Sequence, residues 1–145
     1  MSKQKEYFKN VFKNGQLAHA YLFSGPEGIG KKEFTYDLFR LVNGRDPEGL
    51  STGQTGDPDF KLITPRVEED ETKIYIEDIR DLKKFLSFKA YTGPYKLVVI
   101  NDADRLTPEA SNSLLKSLEE PTPFSIIVLV SSKPRLILPT VLSRC

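Results

Sequence analysis

Apolar positions along this chain change period repeatedly, from continuous runs to helical spacing and back. Ala20-Tyr-Leu-Phe-Ser24 is a short apolar run of strand type, and beyond the glycines that follow it Phe34, Leu38 and Leu41 recur at helical spacing. Ahead of that strand, Tyr7, Phe8, Val11 and Phe12 lie at helical spacings between Lys5 and Lys13, and Asn14-Gly15 supplies a stop. A short amphipathic helix is therefore predicted before the first strand.

Asn43 to Asp59 breaks the pattern: Gly44, Gly49, Gly53 and Gly56 alternate with Pro47, Pro58, Ser51, Thr52 and Thr55, the composition of a mobile loop. Phe60 to Thr64 reads as the next strand, ended by Pro65. The acidic run Glu68 to Glu71 reads as a solvated turn, and Ile74 to Ile76 as a little more strand. Ile79, Leu82, Phe85 and Leu86 predict an amphipathic helix from about Glu77 to Phe88, with acids in its first turn and lysines later, as the helix dipole favours. Leu97-Val-Val-Ile100 and Ile126-Ile-Val-Leu-Val130 are continuous apolar runs, the form taken by parallel strands covered on both faces. Between them Thr107-Pro108 is a helix cap followed by a first-turn proline. Ala110, Leu114, Leu115 and Leu118 form that helix's buried side, and Glu119-Glu-Pro121 ends it. Pro134 and Pro139 punctuate a helical or irregular tail.

Strands that alternate with helices in this way predict an α/β fold, a three-layer sandwich with a mostly parallel sheet and right-handed crossovers. The ligand site of such a fold lies at the carboxyl ends of the strands. Its 145 residues suit one compact domain, large enough to bury well over half of the surface the unfolded chain exposes. Charge is nearly balanced at a formal +1, so any contact with nucleic acid has to come from a local patch. The single cysteine, Cys145, excludes an internal disulfide and a cysteine-rich zinc site, and no metal is expected. No stretch approaches the roughly 20 apolar residues of a membrane span, and no apolar run follows the first lysines; a cytoplasmic protein without membrane contact is expected.

The chemistry begins at Gly25-Pro-Glu-Gly28-Ile-Gly30-Lys31-Lys32. Gly25, Gly30 and Lys31 match the phosphate-binding pattern G-x-x-x-x-G-K-[ST], in which backbone N–H groups curl around a phosphate, the lysine reaches the outer phosphates and a hydroxyl holds magnesium. Strand before and helix after place that loop correctly, since a helix N-terminus aims its unpaired N–H groups at an anion. Lys32 stands where the hydroxyl belongs, and an ammonium repels a cation. A nucleoside triphosphatase also needs a second strand ending in an acid near magnesium, followed by a glutamate that activates water. At the end of Leu97-Val-Val-Ile100, Asn101 takes the first place and Asp102 the second. Two magnesium-handling positions are altered together, which predicts a degenerate site that requires no cofactor and holds ATP or ADP, if at all, weakly and without well-held magnesium.

Other residues carry weaker signals. His19 has no second histidine or cysteine to complete a metal or nucleophile site, so no chemistry is assigned to it. Lys83, Lys84 and Lys89 cluster near one helix, where a solvated face and contact with DNA are alternative readings. Arg144 closes the proline-bounded tail. It is either an ordinary surface charge or an arginine finger that neutralises charge on a phosphoryl group in a neighbour's site.

Across essentially the whole chain these residues resemble the bacterial DNA polymerase III clamp loader family, at its delta-prime branch. His19 to Lys32 is similar to the family's first strand and loop, Asn112-Ser-Leu-Leu-Lys-Ser-Leu-Glu-Glu-Pro121 to its most recognisable helix, and Leu142-Ser-Arg-Cys145 to its Ser-Arg-Cys motif. The resemblance implies a P-loop NTPase module of the AAA+ type, without intrinsic ATPase activity, in a ring with gamma/tau and delta subunits that places a sliding clamp on primed DNA. It implies that Arg144 is the arginine offered to the adjacent motor. Ser131 and Ser132 lie where the family senses the terminal phosphate. Many members carry a four-cysteine zinc knob after the first helix, and Asn43 to Asp59 has no cysteine. Members also continue into a helical lid and a collar, so residues 1–145 are expected to be the N-terminal module alone. The alternatives are a gamma/tau-like motor that hydrolyses ATP in its own site and a P-loop domain of unrelated duty, such as a small-molecule kinase.

Overall fold

A computed structural model describes residues 6–7, 9–10, 13, 18–25, 31–48, 57–88 and 94–145, with the side chains of Lys31 and Lys32 outside that description. Glu6, Tyr7, Lys9, Asn10 and Lys13 are helical, in keeping with the first predicted helix; Phe8, Val11, Phe12 and the Asn14-Gly15 stop lie outside the described residues.

The chain continues through β1 (Ala20–Ser24), α1 (Lys31–Asn43), β2 (Phe60–Ile63), β3 (Arg66–Glu68), β4 (Glu71–Lys73), α2 (Ile76–Leu86), β5 (Lys96–Asn101), α3 (Pro108–Glu119), β6 (Ser125–Ser131) and a one-turn α4 (Pro139–Leu142). Short 3-10 turns at Ala103–Arg105 and Pro134–Leu136 follow β5 and β6. Four strands form one sheet in the order β1-β6-β5-β2, and every pairing in it is parallel.

Alternation along each strand explains the layers. Ala20, Ile63, Val98, Ile100, Ile127 and Leu129 point to one face and pack with Ile79, Leu82, Leu114, Leu118 and Val141 of α2, α3 and α4. Phe60, Leu97, Val99, Ile126, Val128 and Val130 point to the other, where Phe34, Leu38, Phe39 and Val42 of α1 cover them. Neighbours along a strand face opposite ways, so runs that are apolar without a break need a helix layer on each side. The three-layer α/β sandwich is the result. Thr107 and Pro108 act as predicted: the Ala110 N–H donates to Thr107 Oγ1 at 3.1 Å, and proline occupies the first turn. Leu115 of the same helix is only half-buried, while Ser111 joins the buried side.

Two expectations need correction. Glu68 to Glu71 is a hairpin: β3 and β4 pair antiparallel with Glu68 opposite Glu71. The turn shrinks to Glu69 and Asp70, at φ 53° and 64°, the positive values a two-residue hairpin requires. Both strands are exposed, so no apolar alternation marks them, and Asn-Gly is absent. Ile74 to Ile76 adds no strand of its own; Ile74 makes a single bridge to Leu106, and the helix starts at Ile76.

The glycine-rich connection is tied at its base. α1 ends where Gly44 takes φ +72°, its N–H bonded to the Arg40 carbonyl at 2.8 Å. Arg45 then reaches Asp57 at 2.5 and 3.1 Å and Asp59 at 3.3 Å. Asp57 also accepts from the Glu48 and Asp59 N–H groups at 2.8 Å each. Burial pushes the Asp57 carboxyl up, but the Arg45 guanidinium and these two N–H donors outweigh it and hold the group below the usual carboxylate value. Residues 49–56 lie outside the described residues. Among the described residues no helix is long and apolar enough to cross a membrane.

Candidate functional site at the carboxyl edge of the sheet

Strand register decides which of the candidate residues meet. Ser24 is level with Ser131, and Asn101 with Val130, so the ends of β1, β5 and β6 form one edge. Gly25 leaves β1 at φ 150°, in the region that favours glycine, and the helix resumes at Lys31. Lys31 and Lys32 therefore occupy the first turn of α1. Gly28 and Gly30 lie outside the described residues. Phe34 in the first turns of α1 packs on Phe23, ring centroids 4.9 Å apart, so the start of α1 lies near the same edge as Asn101, Asp102 and Ser131.

Asn101 is the last residue of β5 and half-buried. Asp102 follows in a left-handed conformation, φ 52° and ψ 52°, and its carbonyl accepts from the Arg105 N–H at 2.9 Å. Aspartate is one of the few residues that tolerate this backbone. The sharp reversal lets Asp102 stand at the strand end while the chain turns back into α3.

The two serines part company. Ser131 is fully buried; its hydroxyl donates to Asp104 Oδ1 at 2.5 Å and accepts from the Lys133 N–H at 3.0 Å. Ser132 is half-buried. Asp104 was invisible as a partner in the sequence, where it is one acid among many; its place in the turn after Asp102 is the only hint. The bond ties the end of β6 to the turn after β5.

Arg144 is not at this edge. α3 leaves the carboxyl edge at Thr107 and runs its 12 residues back to Glu119, a length of about 18 Å. Arg144 sits at that far end, Nη2 3.3 Å from Glu119 Oε1, with the two side chains 51% and 42% exposed. His19 lies at the same end, its Nε2 3.3 Å from the Leu118 carbonyl oxygen. Lys83 and Lys84 fall in the last turn of α2, near the strands' amino ends, and Lys89 lies outside the described residues.

A parallel sheet ordered 1-4-3-2 by chain position, with a glycine-led connection from the first strand into a helix, defines a P-loop NTPase fold of the AAA+ type. Within that class, the chain belongs to the family described as DNA polymerase III, delta subunit, which matches residues 1–145. It is 33% identical to DNA polymerase III subunit delta' of Pseudomonas aeruginosa, over 98% of this chain and 46% of that protein. Against subunit delta' of Bacillus subtilis the identity is 34%, over 94% of this chain and 43% of that protein. Subunit tau of Bacillus subtilis is 30% identical over 94% of this chain and 25% of its own length. Among solved structures, a gamma subunit-related protein of DNA polymerase III from Thermotoga maritima superposes with a TM-score of 0.77 at 29% identity, over 97% of this chain and 43% of that one. The chain thus spans less than half the length of these relatives.

Proposed function

We propose that this chain is the nucleotide-fold module of a delta-prime-type clamp-loader subunit, noncatalytic in its own site, that lends Arg144 to a neighbouring motor. The observation that carries this reading is the separation of Arg144 from the chain's own carboxyl edge by the length of α3. A guanidinium so placed cannot reach a phosphate on its own loop, and its half exposure leaves it accessible to another subunit. There, as water attacks the terminal phosphorus and the bond to the departing ADP oxygen breaks, Arg144 would neutralise charge on the equatorial oxygens.

The chain's own donor set fits a divalent cation poorly. Lys32 brings a positive charge to the first turn of α1 and Asn101 a neutral amide to the end of β5, where a hydroxyl and a carboxylate would be needed. ATP or ADP would rest on backbone N–H groups and Lys31 alone. Ser132 is the better candidate to sense a terminal phosphate, because the Ser131 hydroxyl is engaged inside. Gamma/tau and delta subunits are the partners of this reading, with the sliding clamp and primed DNA reached through the complex in the cytoplasm. A gamma/tau-like motor is the second reading, favoured by the 30% identity to subunit tau and opposed by Lys32 and Asn101.

The test has two parts. ATP titrated onto the chain is expected to bind weakly and equally with and without magnesium; magnesium-dependent binding with steady turnover selects the motor. In a reconstituted loader, Arg144→Ala in the full-length chain is expected to lower the motors' ATPase while assembly survives, and unchanged activity removes the finger.

A further inference from the structure

We infer that Glu119 is the positioning residue for Arg144, holding one edge of its guanidinium so that the other is presented outward; this rests on the finger reading above. The ion pair joins the last residue of α3 to the residue two past the end of α4.

The backbones on both sides are fixed. Val141 is fully buried, the Arg144 N–H is bonded to the Val141 carbonyl at 3.1 Å, and the Cys145 N–H to the Leu142 carbonyl at 3.2 Å. On the other side the Glu120 N–H is bonded to the Lys116 carbonyl at 3.0 Å, and the Leu118 carbonyl meets His19. What remains variable is the rotamers of the two side chains. An exposed pair of this kind adds little to stability, so it is not there to hold the fold.

Charge placement supplies an independent reason. Glu119 and Glu120 both stand at the C-terminal end of α3, where the helix dipole disfavours a carboxylate and favours a cation. Departures from such local rules are found preferentially at functional or strained sites. Lys116 supplies one cation in the last turn of α3, and Arg144, from beyond α4, brings a second that Glu119 binds. A guanidinium has five N–H donors in a planar fork; the Glu119 contact is made by Nη2, on one side of that fork. Restricting the side chain beforehand lowers the conformational entropy lost when it engages a phosphoryl group.

The test is a double-substitution cycle in the full-length chain within a reconstituted loader, read as motor ATPase. Glu119→Gln keeps shape and removes charge. It is expected to lower kcat by about threefold, within the up-to-fivefold rotamer bias that an exposed ion pair supplies, while the KM for ATP, subunit assembly and melting temperature stay put. In the Arg144→Ala background the same substitution is expected to have no further effect. If Glu119→Gln lowers activity equally in both backgrounds, or leaves it unchanged while Arg144→Ala lowers it, the positioning role falls and the finger stands. If Arg144→Ala itself changes nothing, both fall.

Discussion

Ser131 and Asp104, 27 residues apart in sequence, share a 2.5 Å hydrogen bond at the carboxyl edge of the sheet, one at the end of β6 and the other in the turn that follows β5. The serine is fully buried and its hydroxyl also receives the Lys133 N–H. Ser131→Ala leaves both partners without it, which is expected to cost about 1–2 kcal/mol. Ser132→Ala, at a half-buried neighbour, is expected to stay within about 0.5 kcal/mol. Urea unfolding of the two variants separates them; a larger loss at 132 than at 131 would mean that the wrong serine has been given the structural task.

The Arg45 cluster at the base of the glycine-rich connection gives a pH-dependent expectation. Asp57 has a fully buried side chain, and Arg45 is 27% exposed. Asp57→Asn removes the charge from a mostly buried pair and turns an amide toward the guanidinium, at an expected cost of about 2–3 kcal/mol, below the full range for buried pairs because Arg45 touches water. The folded carboxyl titrates below its ordinary value of 3.8. Its stabilisation is therefore complete above pH 3.8 and is lost as pH falls through the lower, folded value. The gap between the parent and Asp57→Asn should close in that acid window. A gap of constant size down to acid unfolding would show that the charge of Asp57 contributes nothing.

These two relationships mark the limit of what the sequence could say. Strand and helix types were legible because β5 and β6 are apolar without interruption and α2 and α3 are apolar on one side only; the parallel three-layer sandwich follows from that contrast. The candidate edge was legible as well, since Gly25 directly follows one recognisable strand and Asn101 and Ser131 each end another. Hidden were the partners that side chains choose across the fold. Asp104 and Glu119 look like any surface acid in the sequence, and only tertiary placement brings Ser131 to one and Arg144 to the other. The β3–β4 hairpin was hidden for a different reason: both strands lie in water, so burial imposes no period on Arg66 to Lys73.

The degenerate-site reading can be tested by gain as well as loss. Lys32→Ser returns a hydroxyl to the first turn of α1, and Asn101→Asp returns a carboxylate to the end of β5, which strand register sets level with Phe23 of β1, across β6. Neither alone is enough. With Lys32 present an ammonium repels the ion, and with Asn101 present no carboxylate organises its shell. The double variant is expected to bind ATP about tenfold more tightly with magnesium than in excess chelator, roughly 1.4 kcal/mol, with each single variant well short of that. Adding Lys31→Ala should abolish the gain if Lys31 fills the lysine position of the phosphate-binding pattern, whose side chain reaches the outer phosphates. Calorimetric titration in the two buffers reads the difference directly. Equal affinity in both for the double variant would show that the changes at positions 32 and 101 are not what keeps magnesium from the site. Magnesium dependence already present in the parent would place the ion on residues other than these, and would return the motor reading to first place.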